Sequence, residues 1–223
     1  MAVSLPNNTT LTGAGRGTLI QLGNFGGTST SVDAITNTDQ INGTGITIQD
    51  LRIDGLNSVN TLGSQHGIYL ENMGQGTGAS ALQGAKLINL WVNNFEDYGI
   101  YLISSFNNTL TSNAAQGNTI GFNLDSSSNN TFTGNTSQGN DSDFYVNATS
   151  NNTFTGNTSQ GNFYGFSLED ASNNTFTGNT VQGNDTQGFI VGYSSSNNTF
   201  TGNTVQGNGG MVFFYLAPAI ITL

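Results

Sequence analysis

The chain has no cysteine, one histidine and three basic residues, Arg16, Arg52 and Lys86, among 223 residues. Without cysteine there is no disulfide framework, thiolate nucleophile or Cys-based metal site. With His66 as the single histidine, a multi-His copper or zinc site cannot form within one chain. The 13 acidic residues set a formal net charge of -10. That balance leaves no electrostatic footprint for phosphate backbones or anionic lipid, so nucleic-acid partners are not expected. Polyanionic glycans are repelled for the same reason unless a cation bridges them. No run reaches the roughly 18 apolar residues of a membrane helix, so membrane insertion is not expected either. Residues 211–223 (MVFFYLAPAIITL) come nearest, but they are short and contain Pro218. Residues 1–6 lack the basic and apolar regions of a signal peptide.

What the chain has instead is glycine, asparagine and threonine in a strict period. Asn-Asn-Thr begins at Asn107, Asn129, Asn151, Asn173 and Asn197, with spacings of 22, 22, 22 and 24 residues. Four copies read NNTFTGNT, and each copy is followed by a Gln-Gly-Asn triplet starting at Gln116, Gln138, Gln160, Gln182 and Gln206. Such a unit is too poor in helix formers to be a helical hairpin. It holds three short alternating segments separated by Asn/Gly corners, which predicts three strands per turn. The expected fold is all-β: a right-handed parallel β-helix with three strands per rung and a 22-residue repeat.

Stacking the repeats predicts interior columns. One is Leu110, Phe132, Phe154, Phe176 and Phe200; a second is Phe122, Phe144, Phe166, Phe189 and Met211. A third runs Leu102, Leu124, Val146, Leu168, Val191 and Phe213, and a narrow fourth Ala115, Ser137, Ser159, Val181 and Val205. The corner Asn residues are expected to ladder amide to amide between rungs. The whole chain, 1–223, reads as one domain. Residues 1–104 form irregular coils with an inserted loop near 73–84, residues 105–208 the regular repeats, and residues 209–223 an apolar terminal coil or cap. About eight rungs at ~4.8 Å make a column of roughly 40 Å.

The opening run LPNNTTLTGAGRGT at 5–18 resembles an early coil of pectate-lyase-like β-helix proteins. The NNTFTGNT units resemble the repeats of the NosD-like copper-periplasmic and carbohydrate-binding β-helix groups. The resemblance implies the fold and leaves the activity open, because that superfamily holds lyases, hydrolases, epimerases, tailspikes, adhesins and spacers. The paired-aspartate and Arg-Ile-Lys motifs of polygalacturonase-like members are absent, and the basic residue that pectate lyases use beside calcium-binding carboxylates has few counterparts here.

Four surfaces could carry function. The outward row beside the third-segment strands reads Tyr69, Tyr101, Asn123, Tyr145, Ser167, Ile190 and Val212. A second row reads Glu71, Ile103, Asp125, Asn147, Glu169, Gly192 and Phe214. Tyr69, Tyr101 and Tyr145 could stack on sugars, and Glu71, Asp125, Asp143 and Glu169 are candidate acids and bases; the bland reading is a solvated β-face. The pairs Thr109/Thr111, Thr131/Thr133, Thr153/Thr155, Thr175/Thr177 and Thr199/Thr201 fall on another face. Such ranks resemble the ice-binding face of solenoid antifreeze proteins, although Thr is also simply a good strand residue. The Asn-x-Thr sequons at Asn107, Asn129, Asn151, Asn173 and Asn197 match a glycosylation acceptor, and the repeat explains them as corner residues. The apolar end at Val212, Phe214, Tyr215 and Leu216 could meet the first rung of another copy, a head-to-tail contact that builds filaments.

His66 reads as a turn residue before Gly67. No metal site is expected, with calcium at Asp141/Asp143 or Glu169/Asp170 the one cofactor left open. The composition suits an extracellular or cell-surface protein. The first reading is therefore a structural or binding β-solenoid that assembles end to end. A polysaccharide-active or glycan-binding face and an ice-binding face are the alternatives. The partners these readings name are a second copy of the chain or a polysaccharide.

Overall fold

A computed structural model of the chain describes residues 3–23, 32–56, 64–76, 82–192, 194–210, 213–215 and 221–222. Among the described residues there are strands and no helix, hence no helix long and apolar enough to cross a membrane. The strands fall into three parallel sheets of nine, nine and eight strands, which the chain visits in strict rotation. Sheet A runs from Val3–Leu5 through Gln65–Glu71, Tyr98–Ile103, Ile120–Asp125, Ser142–Asn147 and Tyr164–Glu169 to Phe213–Tyr215. Sheet B runs from Thr10–Thr12 to Ile221–Thr222, and sheet C from Leu19–Gln21 to Thr204–Gln206. This is a right-handed parallel β-helix with three strands per rung.

The repeat sets the corners residue by residue. In the regular rungs from Asn107 to Asn184, three corners are a residue in the left-handed region followed by a buried Asn. In the rung that starts at Asn129 these are Asn129 (φ 59°), Gly134 (φ 61°) and Gly139 (φ 63°), while a fourth left-handed residue, Ala148 (φ 51°), is followed by buried Thr149. Asn and Gly are the residues that tolerate this conformation. The Asn that follows each of the first three, here Asn130, Asn135 and Asn140, is buried and joins a ladder along the axis. Asn157 shows the pattern. Its Nδ2 donates to Phe132 O and to Asn179 Oδ1, both at 3.0 Å, while its Oδ1 accepts from Asn135 N at 2.9 Å and Asn135 Nδ2 at 3.0 Å. The ladders satisfy backbone groups where the strands break, so tight corners can be buried. The sequon residues Asn107, Asn129, Asn151, Asn173 and Asn197 are the left-handed members, and all five are exposed.

Between the corners, alternation sends one face inward. Phe132, Phe154, Phe176 and Phe200 stack ring on ring at 4.8 Å, and Phe122, Phe144, Phe166 and Phe189 form a parallel stack at 4.3–5.0 Å. Rings of the two stacks meet edge to face at 5.1–6.2 Å. Offset stacking along the axis and edge contacts across it both suit the ring quadrupole.

Two sequence expectations need correction. The strand after Phe189 starts its pairing at Phe213, with Ile190 opposite Phe214 and Val191 opposite Tyr215. The 22-residue count, which puts Met211 after Phe189, Phe213 after Val191, Val212 after Ile190 and Phe214 in the Gly192 row, is two residues out of register. Two residues are added after Phe189: Asn198 follows Phe189 by nine positions, against eight from Phe166 to Asn174, and Phe213 follows Asn208 by five, against four from Asn162 to Phe166. The inserted loop does not begin at Met73. Met73 is fully buried, bridges Gly43 in parallel, and would collide with any Cβ at that glycine, which would lie 2.3 Å from its Sδ. Residues 77–81 of the expected loop lie outside the described residues.

Candidate functional site on the outer face of sheet A

Sheet A carries three outward rows, because its strands bend at a glycine. Along Gln65–Glu71 the burial runs inward at Gly67 and again at Ile68, so His66 and Tyr69 both face out. Gly67 is required at the bend, since a Cβ there would lie 2.3 Å from Val92 Cγ1 and 2.5 Å from Gly99 O. The two expected rows are found in register: Tyr69, Tyr101, Asn123, Tyr145, Ser167 and Ile190, then Glu71, Ile103, Asp125, Asn147 and Glu169. The third row is Asp33, His66, Tyr98, Ile120, Ser142 and Tyr164. Strict alternation counted back from Tyr69 turns His66 inward, which is why the sequence reading missed this row. Aligning His66-Gly67-Ile68-Tyr69 with Tyr98-Gly99-Ile100-Tyr101 was the signal that could have found it.

His66 is therefore a strand residue and not a turn residue. Its Nδ1 lies 2.7 Å from Asp33 Oδ1. Its ring sits 5.0 Å from Tyr98, 5.5 Å from Tyr101 and 5.6 Å from Tyr69, centroid to centroid. Tyr101 in turn meets Tyr98 and Tyr69 edge to face at 5.0 and 5.4 Å. The Asp33 carboxylate orients the imidazole. Tyr69 OH donates to Glu71 Oε2 at 3.1 Å, and Tyr145 OH donates to Glu169 Oε2. Burial, reinforced by Glu71, pushes the Tyr69 phenol up to about 12. Burial likewise raises Tyr98, Tyr101 and Tyr145, with Asp97 next for Tyr98, Asp125 for Tyr101 and Glu169 for Tyr145. These phenols stay protonated at neutral pH and act as donors, not bases.

Farther along the same face a hollow of about 430 Å³ opens between Tyr145, Tyr164, Glu169, Asp141 and Ser142. Asn123, between the two tyrosine clusters, has a buried Oδ1 with no hydrogen-bond partner among the described residues. Arg and Lys are absent from all three rows. Apart from His66, every titratable group in them is acidic or a phenol.

Asp143 is not on this face. It stands at the inward glycine position of its rung, aligned with Gly121 and Gly165, and is fully buried. Ser137 and Ser159 make room for it: a Cβ at Gly165 would lie 2.7 Å from Val181 Cγ1, the bulkier residue of that column. Its carboxyl accepts from Asn140 Nδ2 at 3.2 Å and from Asn162 Nδ2, with Ser137 and Ser159 as further donors. Burial nonetheless outweighs those four donors and pushes the Asp143 carboxyl well above the usual range. The proposed acid–base role of Asp143 fails on access. The calcium pairing of Asp141 with Asp143 fails because Asp141 is exposed while Asp143 points inside. Glu169 and Asp170 are both exposed, and Glu169 is engaged by Tyr145. Among the described residues no group of three or more His, Asp or Glu could hold a metal ion.

The threonine pairs lie on sheet B in two ranks, with Thr109, Thr131, Thr153, Thr175 and Thr199 in register and Thr111, Thr133, Thr155, Thr177 and Thr201 beside them. Of the end residues, Phe214 and Tyr215 are on the last strand of sheet A, and Val212 and Leu216 lie outside the described residues.

Solved structures share this architecture. The chain is 19 % identical to the A-module of mannuronan C-5 epimerase AlgE6 from Azotobacter vinelandii, with a TM-score of 0.71 over 95 % of this chain and 65 % of that one. It is 14 % identical to the enzymatically active domain of bacteriophage CBA120 tailspike protein 2, with a TM-score of 0.58 over 99 % of this chain and 43 % of that one. It is 12 % identical to PfbA, a surface adhesin of Streptococcus pneumoniae, with a TM-score of 0.57 over 95 % of this chain and 62 % of that one. The chain thus spans under two thirds of each of these structures, and at such identities the likeness is one of fold. The comparison with curated proteins gave no match. The family described as periplasmic copper-binding protein (NosD) matches residues 29–216. With most of its length matched, the chain belongs to the NosD family.

Proposed function

We propose that this chain is a glycan-binding β-solenoid whose sheet A face holds a neutral or amino-sugar polysaccharide. The observation that carries this reading is the alignment of Tyr69, Tyr98, Tyr101, Tyr145 and Tyr164 with His66 on one regular face, edged by Glu71, Asp125 and Glu169. Tyrosine faces stack on the apolar faces of sugar rings, and protonated phenols and carboxylates offer the donors and acceptors that hydroxyls need. The acidic edge disfavours uronates, whose carboxylates would meet like charge without a compensating Arg or Lys. Abstraction of a proton beside a uronate carboxylate would also require a cationic stabiliser that these rows lack. An amino sugar gains from the same edge. Mannuronan epimerases, tailspikes and an adhesin among the structures of similar fold support a face used for extended surface ligands. The family's periplasmic description supports a place outside the cytoplasm, and a cell-surface location is the narrower proposal.

Copper, which the family description implies, does not fit the described residues. His66 Nδ1 is committed to Asp33 at 2.7 Å, and Met73 is fully enclosed in the core. A copper site needs several soft or imidazole donors converging, and none gather around His66.

Affinity electrophoresis through gels containing neutral, amino-sugar or uronate polysaccharides tests the reading. Retardation is expected in the first two and is expected to weaken when the sheet A tyrosines are removed, whereas migration in the third should not depend on those tyrosines. Tyr101→Ala is expected to weaken binding about 5- to 150-fold, the range for loss of one stacking aromatic at ~1–3 kcal/mol. Migration unaffected by any neutral or amino-sugar polymer would overturn it.

A further inference from the structure

A second site lies on sheet C, and its chemistry is opposite. The chain has only three basic residues and one tryptophan. Two of those cations, Arg16 and Arg52, meet the tryptophan, Trp91, at a single hollow of about 340 Å³. A chain so short of cations has little reason to gather two of them by chance.

The geometry comes from the register. Leu19, Arg52, Trp91, Ala114 and Thr136 follow one another in one outward column. Asp54, Asn93, Gln116 and Gln138 form the column beside it. Arg16 reaches the same spot from the turn between sheets B and C, which is pinned by Gly15 N donating to Asp50 O at 2.7 Å and Ala14 N donating to Thr18 Oγ1 at 2.8 Å. Its guanidinium carbon lies 4.5 Å from the centre of the Trp91 ring, which holds the charge over the sheet. Ala114 succeeds Trp91 in the column, so nothing longer than a methyl group fills the space next to the indole.

The cations there keep free hydrogen-bonding capacity, although Arg16 lies over Trp91 and Arg52 makes a long ion pair with Asp54. Among the described residues neither guanidinium donates a hydrogen bond, and Arg52 Nε is buried without a partner. The ion pair of Arg52 with Asp54 is long, with Asp54 Oδ2 3.9 Å from Arg52 Nη2, and includes no hydrogen bond. Asp54 Oδ1 already accepts from Leu56 N at 3.1 Å and Asn94 Nδ2 at 3.2 Å. Planar guanidinium forks match carboxylate and sulfate oxygens. An indole wall with primary amides beside it matches a sugar ring and its hydroxyls.

We propose that the hollow over Ala114 binds an acidic saccharide. Its anionic group is held by Arg16 and Arg52, its ring packs beside Trp91, and its hydroxyls meet Asn93 and Gln116. The overall charge of -10 opposes this only weakly, because at physiological salt fields are screened beyond about 8 Å. The site is on a different sheet from the tyrosine rows and stands or falls independently of them.

Trp91 is the only tryptophan, so its emission reports on this site alone. The full chain should be titrated with a uronate oligosaccharide, a sulfated oligosaccharide and a neutral one. A saturable change in emission is expected with one or both acidic ligands, and which of them acts identifies the acid group. Arg16→Gln and Arg52→Gln should each raise Kd about tenfold or more, the loss expected for a charge-assisted contact. Lys86→Gln, which removes the same charge on sheet B, should leave Kd unchanged. Circular dichroism of each variant confirms the fold. The proposal is overturned by the absence of a saturable response to either acid, by an equal response to the neutral ligand, or by wild-type affinity in folded Arg16→Gln and Arg52→Gln.

Discussion

At the scale of single residues, the Asn that follows each left-handed corner does more than its polarity suggests. Asn157 makes or accepts four hydrogen bonds inside the column, and none of its partners has water as an alternative. Asn157→Ala leaves buried donors and an acceptor unpaired, at ~1–3 kcal/mol per group. A loss of about 3 kcal/mol or more in chemical denaturation is expected. Exposed Asn151, the left-handed residue before Asn152 at φ 58°, should instead accept glycine at a cost of only a few tenths of that. Asp143 gives a pH signature. Its carboxyl is raised in the folded chain because burial disfavours the charge, so the folded state holds a proton more tightly than the unfolded one. The stability linked to it is complete below the unfolded value near 3.8 and is lost as pH rises towards the folded value. In Asp143→Asn that fall disappears. The melting temperature of the variant, measured relative to wild type, should climb as pH rises above the unfolded value near 3.8.

At the scale of strands and corners, most of the fold was legible, because one period carries every instruction. NNTFTGNTSQGN states where the chain turns left-handed, which Asn ladders, and which Phe or Ser goes inside. Legibility failed where the period changed. One residue added between Phe189 and Asn198 and one between Asn208 and Phe213 shift the final strand by two residues relative to a 22-residue count, and Met73 looks like loop because the residues near it lack the repeat. The site was half legible. Tyr69, Tyr101, Tyr145 and the acidic row were found by alternation, whereas His66 and Tyr98 were hidden by the bend at Gly67 and Gly99. Asp143 was misplaced for the same reason, since it replaces the glycine of that bend. The Arg16–Trp91 contact joins a turn to a strand two rungs away, and no local pattern announces it. The phenylalanine stacks lead to a test at this scale. Phe154 touches four other rings, in both stacks. Phe154→Ala should cost about 3–5 kcal/mol, and the loss should appear as earlier hydrogen exchange in the neighbouring rungs before it spreads.

At the scale of the whole molecule, the solenoid is a rigid prism with three chemically distinct faces. Sheet B presents threonine ranks, sheet A tyrosines with carboxylates, and sheet C a glutamine ladder that ends at the two arginines and the tryptophan. A repeat fixes all three at the rung spacing of ~4.8 Å, which suits a ligand that is itself a repeating polymer. The central claim is that a polysaccharide lies along sheet A. A crystal structure of the chain with a neutral or amino-sugar oligosaccharide tests it most directly. The account predicts sugar rings stacked over Tyr101 and Tyr145, with hydroxyl or amino groups on Glu71, Asp125 or Glu169. Sugar bound only elsewhere, with the tyrosine rows bare at saturating ligand, would contradict it.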